Sequence, residues 1–260
     1  MKPIIVCFAI LANSPTKAAV TAGLIGEWLF DNSPVDTAGN NFDGVAISTT
    51  TTTDRFGQSG AAFHFNGSAW VEIQDDPILR PASGWTISAW VQPETLTSPY
   101  NERIIDKGGD DYSGIAGYSL MYTTDRRFLF GNTWGGGGQG GTVSLTQVQS
   151  SDWYFLVGTY DGENARLYVN GQLEATDPMT WTIDSTKPVQ IGRFEGSINP
   201  PHWTSSFHGA IDDVRIFDRA ITDSEVTSLY LIPEPSSASL TAIFGILCLF
   251  RRGRKHVTQD

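Results

Sequence analysis

Short stretches of alternating character dominate the middle of the chain. In residues 85–92, Trp85, Ile87, Ala89 and Val91 fall on one face and Thr86, Ser88 and Gln92 on the other. That is the period-two pattern of a half-buried strand, broken on its polar face by Trp90. Residues 153–160 are apolar on both faces, which predicts a central strand covered on two sides. Asp161-Gly162 turns the chain into a strand at 165–169, and Asn170-Gly171 then reads as a tight hairpin. Asn-Gly suits such loops because both central residues need positive φ. By the same rule Asn66-Gly67 predicts a hairpin across residues 63–73. Later strands are expected at 189–192 and 210–217. The threonine run at 48–53 and the glycine-rich stretch at 135–141 read as loops, and the second lacks the Gly-Lys-Ser/Thr ending of a phosphate cradle. One segment reads as a helix: Thr222 caps it, Glu225 completes a capping box, and Val226, Leu229 and Tyr230 form its apolar stripe. Many short strands, frequent glycine turns and no helical crossovers predict an all-β antiparallel sandwich.

The two ends differ from this middle. Met1-Lys2 precedes an apolar core at residues 4–11, and small residues follow at Ala18-Ala19 and Ala22. This is the layout of a secretion signal, with cleavage expected after Ala19 or Ala22. At the other end, Pro233-Glu234-Pro235 leads into an uncharged apolar run at 238–250 and then Arg251, Arg252, Arg254 and Lys255. The run is short of the roughly 20 apolar residues that span a bilayer comfortably. Its basic end fits a stop on the cytoplasmic side. These three ordered parts resemble the PEP-CTERM sorting signal of bacterial exosortase substrates. The resemblance implies export, processing at Pro233, Glu234 and Pro235 by a membrane-embedded exosortase, and transient membrane anchoring by the C-terminal segment.

Composition narrows the partners. The net charge is -11, and no basic stripe lies outside the tail. Nucleic acid is therefore excluded as a partner, since phosphate binding needs clustered Lys and Arg. The 2 cysteines, Cys7 and Cys248, fall in the two end segments, so no disulfide is expected in the domain between them. That domain takes residues 23–231, with 1–22 as signal and 232–260 as sorting and anchor segment.

The order of motifs within 23–231 is distinctive. Gly26-Glu27-Trp28-Leu29-Phe30-Asp31 opens it, followed by Phe42-Asp43-Gly44, residues 62–67, residues 86–91 and residues 153–162. Leu167-Tyr168-Val169-Asn170-Gly171, residues 209–217 and the short helix close it. This series resembles the bacterial laminin-G-like domains of the concanavalin A-like jelly-roll class. The resemblance implies a jelly-roll sandwich with one short C-terminal helix, whose first and last strands pair. The class hosts lectins, adhesins, accessory modules and some hydrolases, so fold does not fix function.

Three chemistries are open to these residues. Alternation places Asp212 on the inward face with Val214 and Ile216, where an unpartnered carboxylate is costly. With first and last strands paired, as the resemblance implies, Asp31 and Asp43 approach Asp212, and a structural Ca²⁺, which the resemblance implies with ligands that vary, is expected on these three. The other reading makes Asp31 and Asp43 turn residues and Asp212 an acceptor for backbone N–H groups. A glycan surface is the second chemistry, because aromatic rings stack on sugar faces while polar groups take the hydroxyls. Trp134, Trp181, His202 and Trp203 lie in expected loops, and Trp90, Arg166 and Tyr168 occupy strand positions opposite to the inward set. Each ring by itself also suits packing at a sheet edge. Catalysis is the third, and the residues argue against it. Glycosidases need two carboxylates flanking the bond. No strand here carries alternating acids, and the adjacent Asp212-Asp213 are expected to point to opposite faces. The histidines lack metal-ligand spacing. The expected protein is an exported, non-catalytic binder of polysaccharide or glycan at the cell surface or extracellular matrix. A structural envelope protein that binds protein partners is the alternative, and a glycan hydrolase the weaker one.

Overall fold

The computed structural model describes residues 20–108, 117–131, 140–194 and 206–232. Trp134, His202, Trp203, the Pro233–Pro235 motif, residues 1–19 of the expected signal and the apolar tail lie outside the described residues. Within them the chain forms two antiparallel sheets face to face, a jelly-roll sandwich with one short helix.

The first sheet runs β13 (Gln172–Pro178), β12 (Asn164–Val169), β11 (Tyr154–Tyr160), β6 (Trp85–Pro93), β15 (His208–Phe217), β4 (Ser59–Asn66) and β3 (Thr50–Thr53). β1 (Leu24–Trp28) also pairs with β15, so the first and last strands meet as expected. The second sheet runs β10 (Gly141–Val143), β9 (Phe128–Gly131), β8 (Ser119–Tyr122), β7 (Glu102–Lys107), β14 (Val189–Ile191), β5 (Trp70–Ile73) and β2 (Val45–Ile47).

The alternating pattern explains which faces meet. Trp85, Ile87, Ala89 and Val91 all enter the core between the sheets, opposite Ile105, Leu120, Phe130 and Ile191. β11 is buried along its whole length, because its outer face is covered too. The sheets approach closely at Gly158, where a Cβ would collide with the Phe130 ring. The Asn170-Gly171 turn has φ of 51° and 78° and joins β12 to β13 as a paired hairpin.

Asn66-Gly67 behaves differently from the expected hairpin. β4 pairs with β15 and β3, whereas β5 pairs with β14 and β2, so this turn passes the chain from one sheet to the other. The threonine run is likewise not only a loop. Thr50–Thr53 forms edge strand β3, its residues mostly exposed, where β-branched side chains suit a pleated surface. Asp75 pairs with Lys107 Nζ at 2.5 Å and with Arg80 at 3.3 Å.

A second apolar cluster lies outside the sandwich. Helix α1 (Asp223–Tyr230) has the expected capping box at Thr222 and Glu225, and it packs Val226 and Leu229 onto the outer face of the first sheet. There they meet Trp90, Phe155, Val157, Tyr168 and Phe217. Full burial of such side chains stabilises by about 1.5–3 kcal/mol each.

Candidate functional site

The helix decides what remains of the expected ligand face. Tyr168 lies beneath it, 2% exposed, and its hydroxyl donates to Asp223 Oδ1 at 2.8 Å. Burial first, and then the Asp223 carboxylate, push the Tyr168 phenol above its ordinary range. Arg166 sits apart near the end of its strand, half-buried and bound to Asp161 at 2.6 Å. Trp181 is no loop platform at all. It stands in the sandwich core at 4% exposure, edge-on to Trp85, with Nε1 donating to the Gly117 carbonyl at 2.9 Å. Trp90, Arg166 and Tyr168 therefore do not form one open surface.

Trp90 still borders an opening. Beyond the C-terminal end of α1 a cavity of about 440 Å³ is lined by Arg55, Phe56, Trp90, Trp153, Tyr230, Leu231 and Ile232. The Tyr230 ring stacks over Trp90 at 5.6 Å and 20°, and lies 6.1 Å from Phe155. Trp153, just before β11, is partly buried against the same cluster. Phe56 and Leu231 form exposed rims, at 54% and 56%. The Trp90 Nε1–H is buried and meets no acceptor among the described residues.

The turn between β3 and β4 supplies the polar part of this wall. Asp54 Oδ1 accepts the backbone N–H of Phe56 at 2.9 Å and of Gln58 at 2.7 Å, closing the loop on itself. Arg55 is thereby directed inward, its side chain 5% exposed, with Cζ 4.5 Å from both the Phe56 and the Trp90 ring centroids. Its Nη1 meets Asp212 Oδ2 at 3.0 Å, and its Nη2 meets Asp213 Oδ2 at 3.0 Å.

That double contact overturns two expectations about β15. Asp212 is not on the inward face with Val214 and Ile216, and Asp213 does not point away from it. The register slips between Asp212 and Arg215, where the neighbour of β15 changes from β4 to β1. Asp213 adopts φ 51°, a left-handed conformation that Asp tolerates better than most residues. The bulge sends Asp212 outward beside its register partner Trp90, and brings Asp213 onto the same guanidinium. Arg215 extends the network, with Nη2 3.1 Å from Asp213 and Nε 2.8 Å from Glu27. Burial pulls the Arg215 guanidinium down, and the carboxylates of Asp213, Glu27 and Asp212 outweigh it, so the group is held above its ordinary value.

The expected calcium set is not assembled. Asp43 accepts the backbone N–H of Asp36 at 2.9 Å, and Asp212 is committed to Arg55. The carboxyl of Asp31 is raised by partial burial and then by Asp213 and Asp54. Among the described residues no group of three or more His, Cys, Asp and Glu side chains is arranged to hold a metal ion. Asp31, Asp43 and Asp212 do not fit the ion proposed for them. The loop-forming carboxylate that the sequence did not reveal is Asp36, which accepts the backbone N–H groups of Glu27, Ala38, Asn40 and Phe42.

Of the residues singled out from the sequence for ligand binding, Trp90 borders this opening, and Arg55, Phe56, Trp153 and Tyr230 were not singled out. Trp153 read as the start of a buried strand and Tyr230 as part of a helix stripe. Nothing local told that both rings border a shared opening.

Comparison with known proteins places the fold. Domain 4 of AbnA, a GH43 extracellular arabinanase from Geobacillus stearothermophilus solved with arabinotriose, superposes with a TM-score of 0.63 at 20% identity, covering 80% of this chain and 98% of that one. The binding domain of Paraclostridial Mosquitocidal Protein 1 gives 0.64 at 18% identity over 80% of this chain and 52% of that one. The binding domain of botulinum neurotoxin serotype C1 gives 0.60 at 15%, over 80% and 52%. The chain thus spans about half the length of these toxin domains. No curated protein matches the chain. The family model matches residues 65–227, and the chain belongs to the concanavalin A-like lectin/glucanases superfamily.

Proposed function

We propose that this protein is an exported, non-catalytic carbohydrate-binding or adhesion module of the cell surface or extracellular matrix. The observation that carries the reading is the cavity walled by Phe56, Trp90, Trp153 and Tyr230. Aromatic walls offer the apolar face of a sugar ring a partner, and polar tips at the rim take hydroxyls. A cavity of a few hundred Å³ suits a small ligand or a short stretch of a polymer. The fold likeness to an arabinanase domain solved with arabinotriose supports the same direction.

Catalysis finds no support at this site. The two carboxylates that meet the lining residue Arg55, Asp212 and Asp213, are ion-paired to it and serve as neither free acid nor free base. Export, exosortase processing at Pro233–Pro235 and transient membrane anchoring rest on the terminal sequence patterns. Among the described residues no helix is long and apolar enough to cross a membrane. Calcium enters this reading only as a variable of the assay.

The test is a glycan array probed with the full chain, with and without calcium, beside the Trp153→Ala variant. Binding of oligosaccharide by the parent, and at least tenfold weaker binding by the variant, is expected. Binding to protein partners with no glycan retained would favour a structural envelope role. Release of sugar from a bound glycan would establish a hydrolase. Mass spectrometry of the mature C-terminus tests the sorting motif, with the chain expected to end near Pro235.

A further inference from the structure

We infer that the cavity beside Trp90 selects uncharged sugar rings and rejects acidic ones, such as uronates or sialates. The inference rests on the glycan-binding reading above and adds a ligand class to it.

The argument starts from the cationic group at the wall. Arg55 is the charged residue among the described residues that line the cavity. In an open aromatic site a guanidinium is the natural partner for a sugar carboxylate, because it presents a planar fork of donors. Here both ends of that fork already face carboxylates. Nη1 lies 3.0 Å from Asp212 and Nη2 lies 3.0 Å from Asp213, and Cζ rests 4.5 Å from each of two rings. An incoming carboxylate would have to displace a buried carboxylate to reach it, and the displaced group would be left without its counter-charge.

The surrounding charge acts in the same sense. Behind the cavity wall Arg55 and Arg215 face Asp212, Asp213 and Glu27, an excess of one negative charge. Asp54 adds another carboxylate at 4% exposure, and its Oδ1 is used by backbone N–H groups. Asp31 lies in the same field: burial first, and then Asp213 and Asp54, raise its carboxyl above the ordinary range. A further anion brought to this wall meets repulsion that added salt screens.

What the wall does offer is apolar. Trp153 and Tyr230 line it beside Trp90, and Phe56 stands exposed at the rim. Rings for stacking and an arginine held between two carboxylates together describe a site for neutral saccharide.

Matched ligands test this. The full chain is titrated by calorimetry with a neutral hexose oligosaccharide and with the same oligosaccharide oxidised at C6 to the uronate. The neutral form is expected to bind at least tenfold tighter. The gap should narrow as salt rises from about 20 to about 500 mM, because screening weakens the repulsion. Glu27→Gln, which removes one carboxylate at the 20% exposed end of the network, should also narrow it. Equal or tighter binding of the uronate overturns the inference while leaving glycan binding intact. Neutral-sugar binding that survives Trp153→Ala unchanged places the ligand elsewhere and overturns it too. Failure of both forms to bind removes the glycan reading itself.

Discussion

Asp212 and Asp213 are consecutive in one strand, yet their carboxylates converge on the same side, each 3.0 Å from a different nitrogen of Arg55. In a regular strand successive side chains point to opposite faces. The left-handed Asp213 backbone breaks that rule at the point where β15 exchanges one neighbouring strand for another. One bulge thus seats a buried ion network under an aromatic cavity.

Removing the cation should expose how costly that network is. Arg55→Met leaves two buried carboxylates sharing the remaining charge of Arg215, and a loss of about 3–5 kcal/mol is expected. Urea denaturation of the variant against the parent measures it. A loss under 1 kcal/mol, of the order of an exposed pair, would show that water screens the site.

Glu102 should make stability depend on pH near neutrality. Its side chain is buried at 2% exposure and accepts the His208 backbone N–H at 3.1 Å. Burial raises its carboxyl from the ordinary 4.5 to about 7, against the His208 and Ser98 hydrogen bonds. A carboxyl raised in the folded state favours the protonated form. Its stabilising contribution is therefore complete below the ordinary carboxylate range and is lost as pH rises toward about 7. The expected loss is about 3 kcal/mol across that window. Glu102→Gln, which keeps an acceptor for His208, should flatten the urea midpoint between pH 5 and pH 8.

Gly158 and Phe130 fix the spacing of the sheets. A methyl group at Gly158 meets the Phe130 ring, so Gly158→Ala should cost about 1–3 kcal/mol through overpacking. Adding Phe130→Leu should recover part of that loss. A double-mutant cycle with no coupling would show that the sheets simply move apart.

The helix cap holds the lid over Tyr168 and Trp90. Thr222 accepts the Glu225 N–H, while Glu225 returns to the Thr222 backbone and pairs with Arg219 at 2.6 Å. The Arg219 hydrogen bond first, and then the Thr222 bonds, hold the Glu225 carboxyl at about 2, against the effect of burial. Because the folded value is depressed, the contribution is present above the ordinary carboxylate range and is lost as pH falls toward about 2. Thr222→Ala should cost about 1 kcal/mol. It should also speed hydrogen exchange in α1 before it affects the core strands.

Much of this architecture was legible from local pattern. A period of two gave β6 and a continuous apolar run gave β11, because a sheet buried on one face or on both leaves that imprint on composition. The Thr222–Glu225 box gave the helix because its hydrogen bonds are local. The limit shows at the two Asn-Gly dipeptides. Asn170-Gly171 joins paired strands, while Asn66-Gly67 passes the chain between sheets. Both turns have the same chemistry, and only the distant partners of the following strand differ.

The candidate site lay mostly beyond that limit. Alternation correctly turned Trp90 outward, and nothing in the nearby residues announced that α1 would cover Tyr168 or that Trp181 would enter the core. Arg55 and Asp212 are 157 positions apart, and no spacing rule links them.

The sequence by itself determined the faces of the regular strands, the positions of the turns and the capped helix, since each depends on hydrogen bonding and burial within a few residues. Only the tertiary structure decided which outward aromatics stay accessible and where the aspartates point. Those depend on strand order, on one shifted register and on where a helix comes to rest, all set by contacts between residues remote in the chain.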